Sequence, residues 1–154
     1  MTIELQSPAQ KACYKRVTPW IKEIFGEVHV RMRDDAPMAV VSHGSAAVYV
    51  SVWPWGDDEA VIQARAYVVT GVEPTSELMH YLLHQNDQMR FGAFGLDKDN
   101  DIYIEYTIVG STVDREELRA ATVAVAVAAD EYDDKIYEGL VSQSEAVRTH
   151  TRVV

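Results

Sequence analysis

Apolar positions recur at two different periods along this chain, and the switches between them mark where its elements begin and end. Between Ser7 and Gly26 the spacing is helical, with Ala9, Ala12, Cys13 and Val17 on one face, followed by Trp20, Ile21, Ile24 and Phe25. Ser7 suits an N-cap, Pro8 sits where its missing N–H costs nothing, and Gln10 is placed to reach back. Pro19 should clash with the carbonyl four residues earlier. The pattern therefore predicts an N-terminal helix over 7–17, a break near Val17, and a second helical piece from Thr18-Pro19 that Gly26 ends.

Beyond Gly26 the period falls to two. The clearest case is Ala47 to Trp53, where Val48, Val50 and Val52 alternate with Tyr49, Ser51 and Trp53. A second strand, Ala60 to Val69, sets Ile62, Ala64, Ala66 and Val68 against Val61, Gln63, Arg65 and Tyr67. Pro54-Trp55-Gly56-Asp57-Asp58 supplies the turn between them, and shorter strands are expected over Val28 to Arg33 and Met38 to His43. Four short strands joined by tight turns predict an antiparallel meander.

The helical period returns after Thr75 or Ser76, with Leu78, Met79, Leu82 and Leu83 as the inward face. Asn86 falls on the same stripe, so its amide should bond backbone and close the helix end against the strand that follows. Phe91 to Leu96 and Ile102 to Val109 form a hairpin around Asp97-Lys98-Asp99-Asn100-Asp101. Its second arm alternates Ile102, Ile104, Tyr106 and Ile108 with Tyr103, Glu105, Thr107 and Val109.

Thr122 to Ala129 alternates valine and alanine and could pass for a strand. The acidic start Asp114-Arg115-Glu116-Glu117 and the stripe Leu118, Thr122, Val125, Ala129, Tyr132, Ile136, Leu140 favour a helix, about 40 Å long to Val141 at 1.5 Å per residue. The tail 142–154 reads as its continuation or a frayed end. The order is thus α-β-β-β-β-α-β-β-α: one α+β domain over 1–154, an antiparallel sheet covered by helices, without repeats or linkers.

Composition narrows the class. A chain of 154 residues with 47% hydrophobic content buries a core unaided. Cys13 is the single cysteine, which excludes an internal disulfide and fits a reducing compartment. Met1 to Ala12 holds no apolar leader and no run of about 18 apolar residues occurs, so a cytoplasmic protein is expected, with no membrane partner. The net charge, 14 − 24 = −10, makes nucleic acid a poor partner. It also points to clients with basic flanks.

Reactive constellations are sparse. His80 and His84 have the helical spacing of a zinc pair, but residue 81, where a zinc protease needs glutamate, is Tyr81, and both histidines face away from the apolar stripe. Asp97 to Asp101 imitates the start of a calcium loop, yet the sixth and twelfth positions are Ile102 and Ile108. Asp130, Glu131, Asp133 and Asp134 could serve acid–base or metal chemistry, but Glu131 pairs with Lys135 and no second acidic helix completes a site. Nothing assigns a catalytic residue, metal or cofactor. Trp53-Pro54-Trp55-Gly56 is what folding explains least: indoles beside a turn are typical binding anchors, and Trp20, Trp53 and Trp55 are the expected partner-binding residues.

Leu82-Leu83, Asn86, Phe91-Gly92-Ala93-Phe94, the acidic turn at Asp97 and Asp99, and then Asp114, Glu117-Leu118 and Ala129-Asp130 follow one another in an order that resembles the YbjN-type family, related in fold to the class I type III secretion chaperones. The likeness covers Thr18 to about Leu140. It implies an antiparallel sheet covered by helices, a homodimer, no catalytic residues, and, in the chaperone relatives, an extended client peptide on apolar surfaces. The chain departs from the family at Asp34-Asp35-Ala36-Pro37, where an aspartate-glycine turn is common, and in its N-terminal helix. The function expected is a non-enzymatic protein or peptide-binding module; the alternative is a small-ligand binder or small enzyme with a sheet–helix cleft built on Asp130 to Asp134.

Overall fold

Helix α1 spans Pro8–Phe25 and, after a 3-10 turn at Glu27–His29, leads into strands β1 (Val30–Met32), β2 (Met38–His43), β3 (Ala46–Trp55) and β4 (Glu59–Val69). Helix α2 (Ser76–Gln88), strands β5 (Ala93–Leu96) and β6 (Ile102–Val109), and helix α3 (Arg115–His150) complete the chain, in the element order that the two periods predict. This computed structural model describes residues 3–150, with side chains described through residue 139. Leu140, expected on the α3 stripe, and residues 151–154 lie outside those limits, while the helical backbone continues through the first part of the tail to His150.

The strands form one six-stranded sheet in the order β1-β2-β3-β4-β6-β5, every neighbouring pair antiparallel. Alternation puts Val48, Val50, Val52, Ile62, Ala64, Ala66, Ile102 and Ile104 on one face, all buried. All three helices lie on that face. They contribute Cys13, Val17 and Ile21 from α1, Leu78 and Leu82 from α2, and Leu118, Val125, Ala126 and Ile136 from α3 to a single core.

The helix does not break near Val17. Cys13, Val17 and Ile21 form one buried stripe through Pro19, and Pro19 and Lys15 lie on the exposed side. The carbonyl that proline leaves without a donor thus faces water, where its cost is low, and the Thr18 hydroxyl donates to the Tyr14 carbonyl at 2.7 Å. The proposed extra helix over 7–17 is therefore the first part of α1. Ser7 caps it through Gln10 N–H at 3.1 Å. Gln10 reaches further than a cap: its Oε1 accepts from Gln6 N–H at 2.7 Å and its Nε2, fully buried, donates to the Val52 carbonyl at 2.8 Å, tying α1 to β3.

Three other boundaries move. Residues 27–29 coil into the 3-10 turn, so β1 begins at Val30 and leaves Val28 exposed. β3 continues through Pro54 to Trp55, which pairs with Glu59, and the turn shrinks to residues 56–58 with Gly56 at φ +63°. β5 starts at Ala93 because Gly92 adopts φ +80°, and Phe91 remains outside it, edge-on to Tyr106 at 5.7 Å.

On α2, Leu83 is 65% exposed rather than inward. That helix meets the sheet along β5, at its edge, so only a narrow stripe is buried. Its far end is held as Asn86 predicts: Oδ1 accepts from Phe94 N–H at 2.7 Å and Nδ2 donates to the Phe94 carbonyl at 3.3 Å. On α3 the capping box closes in both directions, Glu117 N–H to Asp114 Oδ1 at 2.8 Å and Asp114 N–H to Glu117 Oε2 at 3.3 Å. Thr122 is buried on the same helix, its hydroxyl bonded to the Leu118 carbonyl at 2.8 Å, so the valine–alanine stretch is helical and polar-satisfied.

Candidate functional site

Period two gives each strand a second face, and among the described residues the other side of this sheet carries no helix. β3 places Tyr49, Ser51, Trp53 and Trp55 there, β4 places Val61, Gln63, Arg65 and Tyr67, and β6 places Tyr103, Glu105, Thr107 and Val109, in register across the three strands. Two tryptophans that the sequence puts around a turn are therefore one step apart on the same strand face. Trp53 is 37% and Trp55 59% exposed.

A hollow of about 380 Å³ opens in the middle of this face, walled by Tyr49, Trp53, Tyr67 and Met38 and floored by Ser51 and Gln63. Arg33 and Arg65 are its only charged lining residues. Ala36, from the Asp34 to Pro37 segment where the family resemblance lapses, forms part of the rim. Beside it a shallower apolar depression is lined by Pro54, Trp55, Val61 and Val109.

The walls are held by cross-strand contacts. Tyr49, Tyr67 and Tyr103 form an edge-to-face ladder with ring centroids 6.3 and 6.4 Å apart. The Arg65 guanidinium lies 3.8 Å from the centre of the Tyr103 ring and donates from Nε to Glu105 Oε2 at 2.6 Å. Burial alone would push Arg65 toward its neutral form, but the hydrogen bond and charge of Glu105 outweigh it and leave its pKa above the ordinary value. Arg33 is paired with Asp35 at 2.5 Å, which raises the arginine and lowers the carboxyl. Trp53 Nε1 donates to Ser51 Oγ at 2.8 Å, fixing the indole at the margin of the hollow.

Trp20 does not join this surface. It sits on α1, partly buried against the core, with the Arg16 and Arg115 guanidiniums 5.7 and 5.8 Å from its ring, and Arg115 also pairs with Glu23 at 2.6 Å. Its contacts strap α1 to α3. Asp130 is engaged with the Ser45 hydroxyl, Glu131 with Lys135 at 2.6 Å, and Asp133 is pushed up by desolvation and by Asp134. These acids lie on α3 and line neither hollow. Among the described residues no group of three or more His, Cys, Asp or Glu is placed to hold a metal ion, and His80 and His84 are exposed. Asp97 spends Oδ1 on the Asp99 and Asp101 N–H groups, both at 2.9 Å, as a hairpin turn requires.

The edge of the sheet is closed at β5, because Asn86 occupies both the N–H and the carbonyl of Phe94 that point away from β6. A segment binding at this end thus meets a face, not an open edge. The arginine–tyrosine lattice is the part that sequence reading missed; its signal was the outward set Gln63, Arg65, Tyr67 facing Tyr103 and Glu105, visible only once β4 and β6 are known to be neighbours.

Comparison with curated proteins finds no match. Among solved structures, the Yersinia pestis type III secretion chaperone SycH, crystallised in complex with a stable fragment of YscM2, is similar to this chain with a TM-score of 0.48 and 17% identity, over 74% of this chain and 97% of that one. Residues 12–141 match the model of the family described as T3SS (YopN, CesT) and YbjN peptide-binding chaperone 1. That match spans most of the chain, and the protein belongs to this family of peptide-binding chaperones.

Proposed function

We propose that this chain is a non-enzymatic, chaperone-like module that holds an extended peptide segment of a client protein on the uncovered sheet face, with Trp53 and Trp55 as anchors. The observation that carries the reading is the uncovered face itself. A three-strand patch with two exposed indoles and a walled hollow lies opposite a core that the helices already complete, so Trp53 and Trp55 are not needed to close that core. Membership of a peptide-binding family supports the choice of ligand class. Trp20 has a packing role between the helices.

The test begins with peptides selected on the intact protein from a random dodecapeptide display library. Trp55→Ala is expected to leave the melting temperature within a few degrees of wild type and to weaken the selected peptides by roughly thirtyfold, about 2 kcal/mol, in fluorescence anisotropy. A collapse of the melting temperature would show Trp55 to be a core residue, and unchanged affinity would place the peptide elsewhere.

The working unit is a homodimer that pairs through its helical side, where Leu83, Val127 and Tyr137 are exposed at 65, 52 and 64%. Such a pairing leaves both sheet faces open. Light scattering is expected to give twice 17.3 kDa for wild type and for Trp55→Ala alike. A mass of 17.3 kDa at every concentration removes the dimer.

A further inference from the structure

We infer that the hollow selects an acidic side chain, so that the peptide held on this face carries a carboxylate two residues away from an aromatic or branched apolar residue; the inference rests on the proposed role of the uncovered face. The first ground is charge. The molecule as a whole is strongly acidic at −10, which would favour basic partners, but the charged side chains that line the hollow are both arginines. Arg33 and Arg65 line the hollow with no acidic lining residue, and Arg31 projects from β1 onto the same face opposite Val40. Asp35 pairs with Arg33, and Glu105 pairs with Arg65, which also donates to the Tyr67 hydroxyl.

The second ground is geometry at the two guanidiniums. Arg33 meets Asp35 through Nε and Nη2, and Arg65 meets Glu105 through the same pair of nitrogens. A guanidinium carries five N–H donors, so each has more to offer than one side-on carboxylate consumes. Arg65 is also held in place by the Tyr103 ring, with its side chain half-buried, which removes much of the ordering cost of a new charge-assisted bond.

The third ground is spacing. Alternate side chains of an extended segment lie on one side, about 6.8 Å apart. Trp53 at the hollow and Trp55 at the apolar depression are themselves two residues apart on β3, so a segment running along that strand meets the two sites with the same repeat. One side chain enters the arginine-lined hollow while the next but one lies on Trp55, Val61 and Val109. A lysine or arginine in the first position would face two guanidiniums and be rejected.

The experiment is the dodecapeptide selection carried out in parallel on wild type, Arg33→Gln and the Arg33→Gln/Arg65→Gln double variant, with thermal melts of each. Wild type is expected to enrich aspartate or glutamate two positions from an aromatic or branched residue. Replacing that acid by its amide in a selected peptide should weaken binding to wild type about tenfold or more, and the double variant should bind the acid and amide forms equally. Arg33 is half-exposed and lies outside the core, so its single variant keeps the test informative if the double variant melts early; it should lose part of the acid preference. Enrichment of basic or uncharged motifs, or an acid preference unchanged in the arginine variants, would overturn the acidic assignment while leaving peptide capture standing. Failure to enrich any motif would sink both readings.

Discussion

Leu118→Ala is expected to destabilise the protein by about 3 to 4 kcal/mol, whereas the same change at Leu83 should alter stability by less than about 0.5 kcal/mol. Both positions are leucines on amphipathic helices, so composition cannot tell them apart. Leu118 has no exposed surface and lies at the start of α3, in the core cluster that the sheet and all three helices share. Truncating it removes the transfer free energy of the lost carbons and leaves a cavity in rigid surroundings: β-branched strand residues below and the capped first turn of α3 above. Leu83 is 65% exposed, and alanine is at least as good a helix former. A loss of that size is a large share of the 5 to 15 kcal/mol typical of a single domain. Urea denaturation of the two variants checks it, since a lower midpoint at unchanged slope reads stability alone. Equal effects at the two positions would mean that α3 does not dock on the sheet as described.

The contrast between those leucines shows where sequence reading succeeds and where it stops. Strand alternation in Ala60 to Val68 and Ile102 to Val109 assigns the side chains to their faces correctly, because a period of two leaves only one choice once either face is apolar; past Tyr67 the register shifts and Val69 packs against the core. The capping box at Asp114 likewise settles α3 against the strand-like valines. A helix offers a wider stripe, and how much of it is buried depends on what it meets. α2 meets only the edge of the sheet, and nothing local to Leu82-Leu83 encodes that. Pro19 fails as a breaker for a related reason: whether its orphaned carbonyl is costly depends on which way the helix is turned, and the core turns it outward.

The candidate site was legible in its parts. Trp53 and Trp55 stand out in the chain, but reading Pro54 as the start of the turn leaves Trp53 at a strand end and Trp55 in the loop, when strand pairing with Ala60 and Glu59 carries β3 past the proline and puts both on one face. Pro54 is tolerated in the strand because it lies close to the hairpin end. The hollow itself is built from β3, β4, the start of β2 and the segment after β1, with Arg65 oriented by Tyr103 and Glu105 on β6. The β4–β6 pairing crosses α2 and the β5 hairpin arm, a long-range choice that no local pattern specifies. Net charge, summed over the whole chain, does not reveal that the two charged residues lining the hollow are both arginines.

Gly92→Ala is expected to cost about 3 kcal/mol, and Gly56→Ala only about 1 kcal/mol, although both glycines sit at positive φ. Gly56 has φ +63° in the β3–β4 turn and open space where a Cβ would go, so alanine there pays for the backbone conformation alone. Gly92 has φ +80°, and an added Cβ would lie 2.6 Å from the Glu105 carbonyl oxygen and 3.2 Å from its carbon. That oxygen belongs to the backbone of β6 and has no rotamer to escape into. Relief requires moving either β5 or β6, and β5 is pinned on its other side by the two Asn86 bonds to Phe94. The strain therefore reaches Glu105, whose side chain holds Arg65, and through it the wall of the hollow. Urea midpoints of the two alanine variants separate backbone strain from the clash. In Gly92→Ala the affinity for selected peptides should fall as well, whereas Gly56→Ala should leave it near wild type. Equal stability losses would show that β5 and β6 do not approach as closely as the structure has them, and an unchanged affinity in Gly92→Ala would detach the Arg65 wall from the packing of β5.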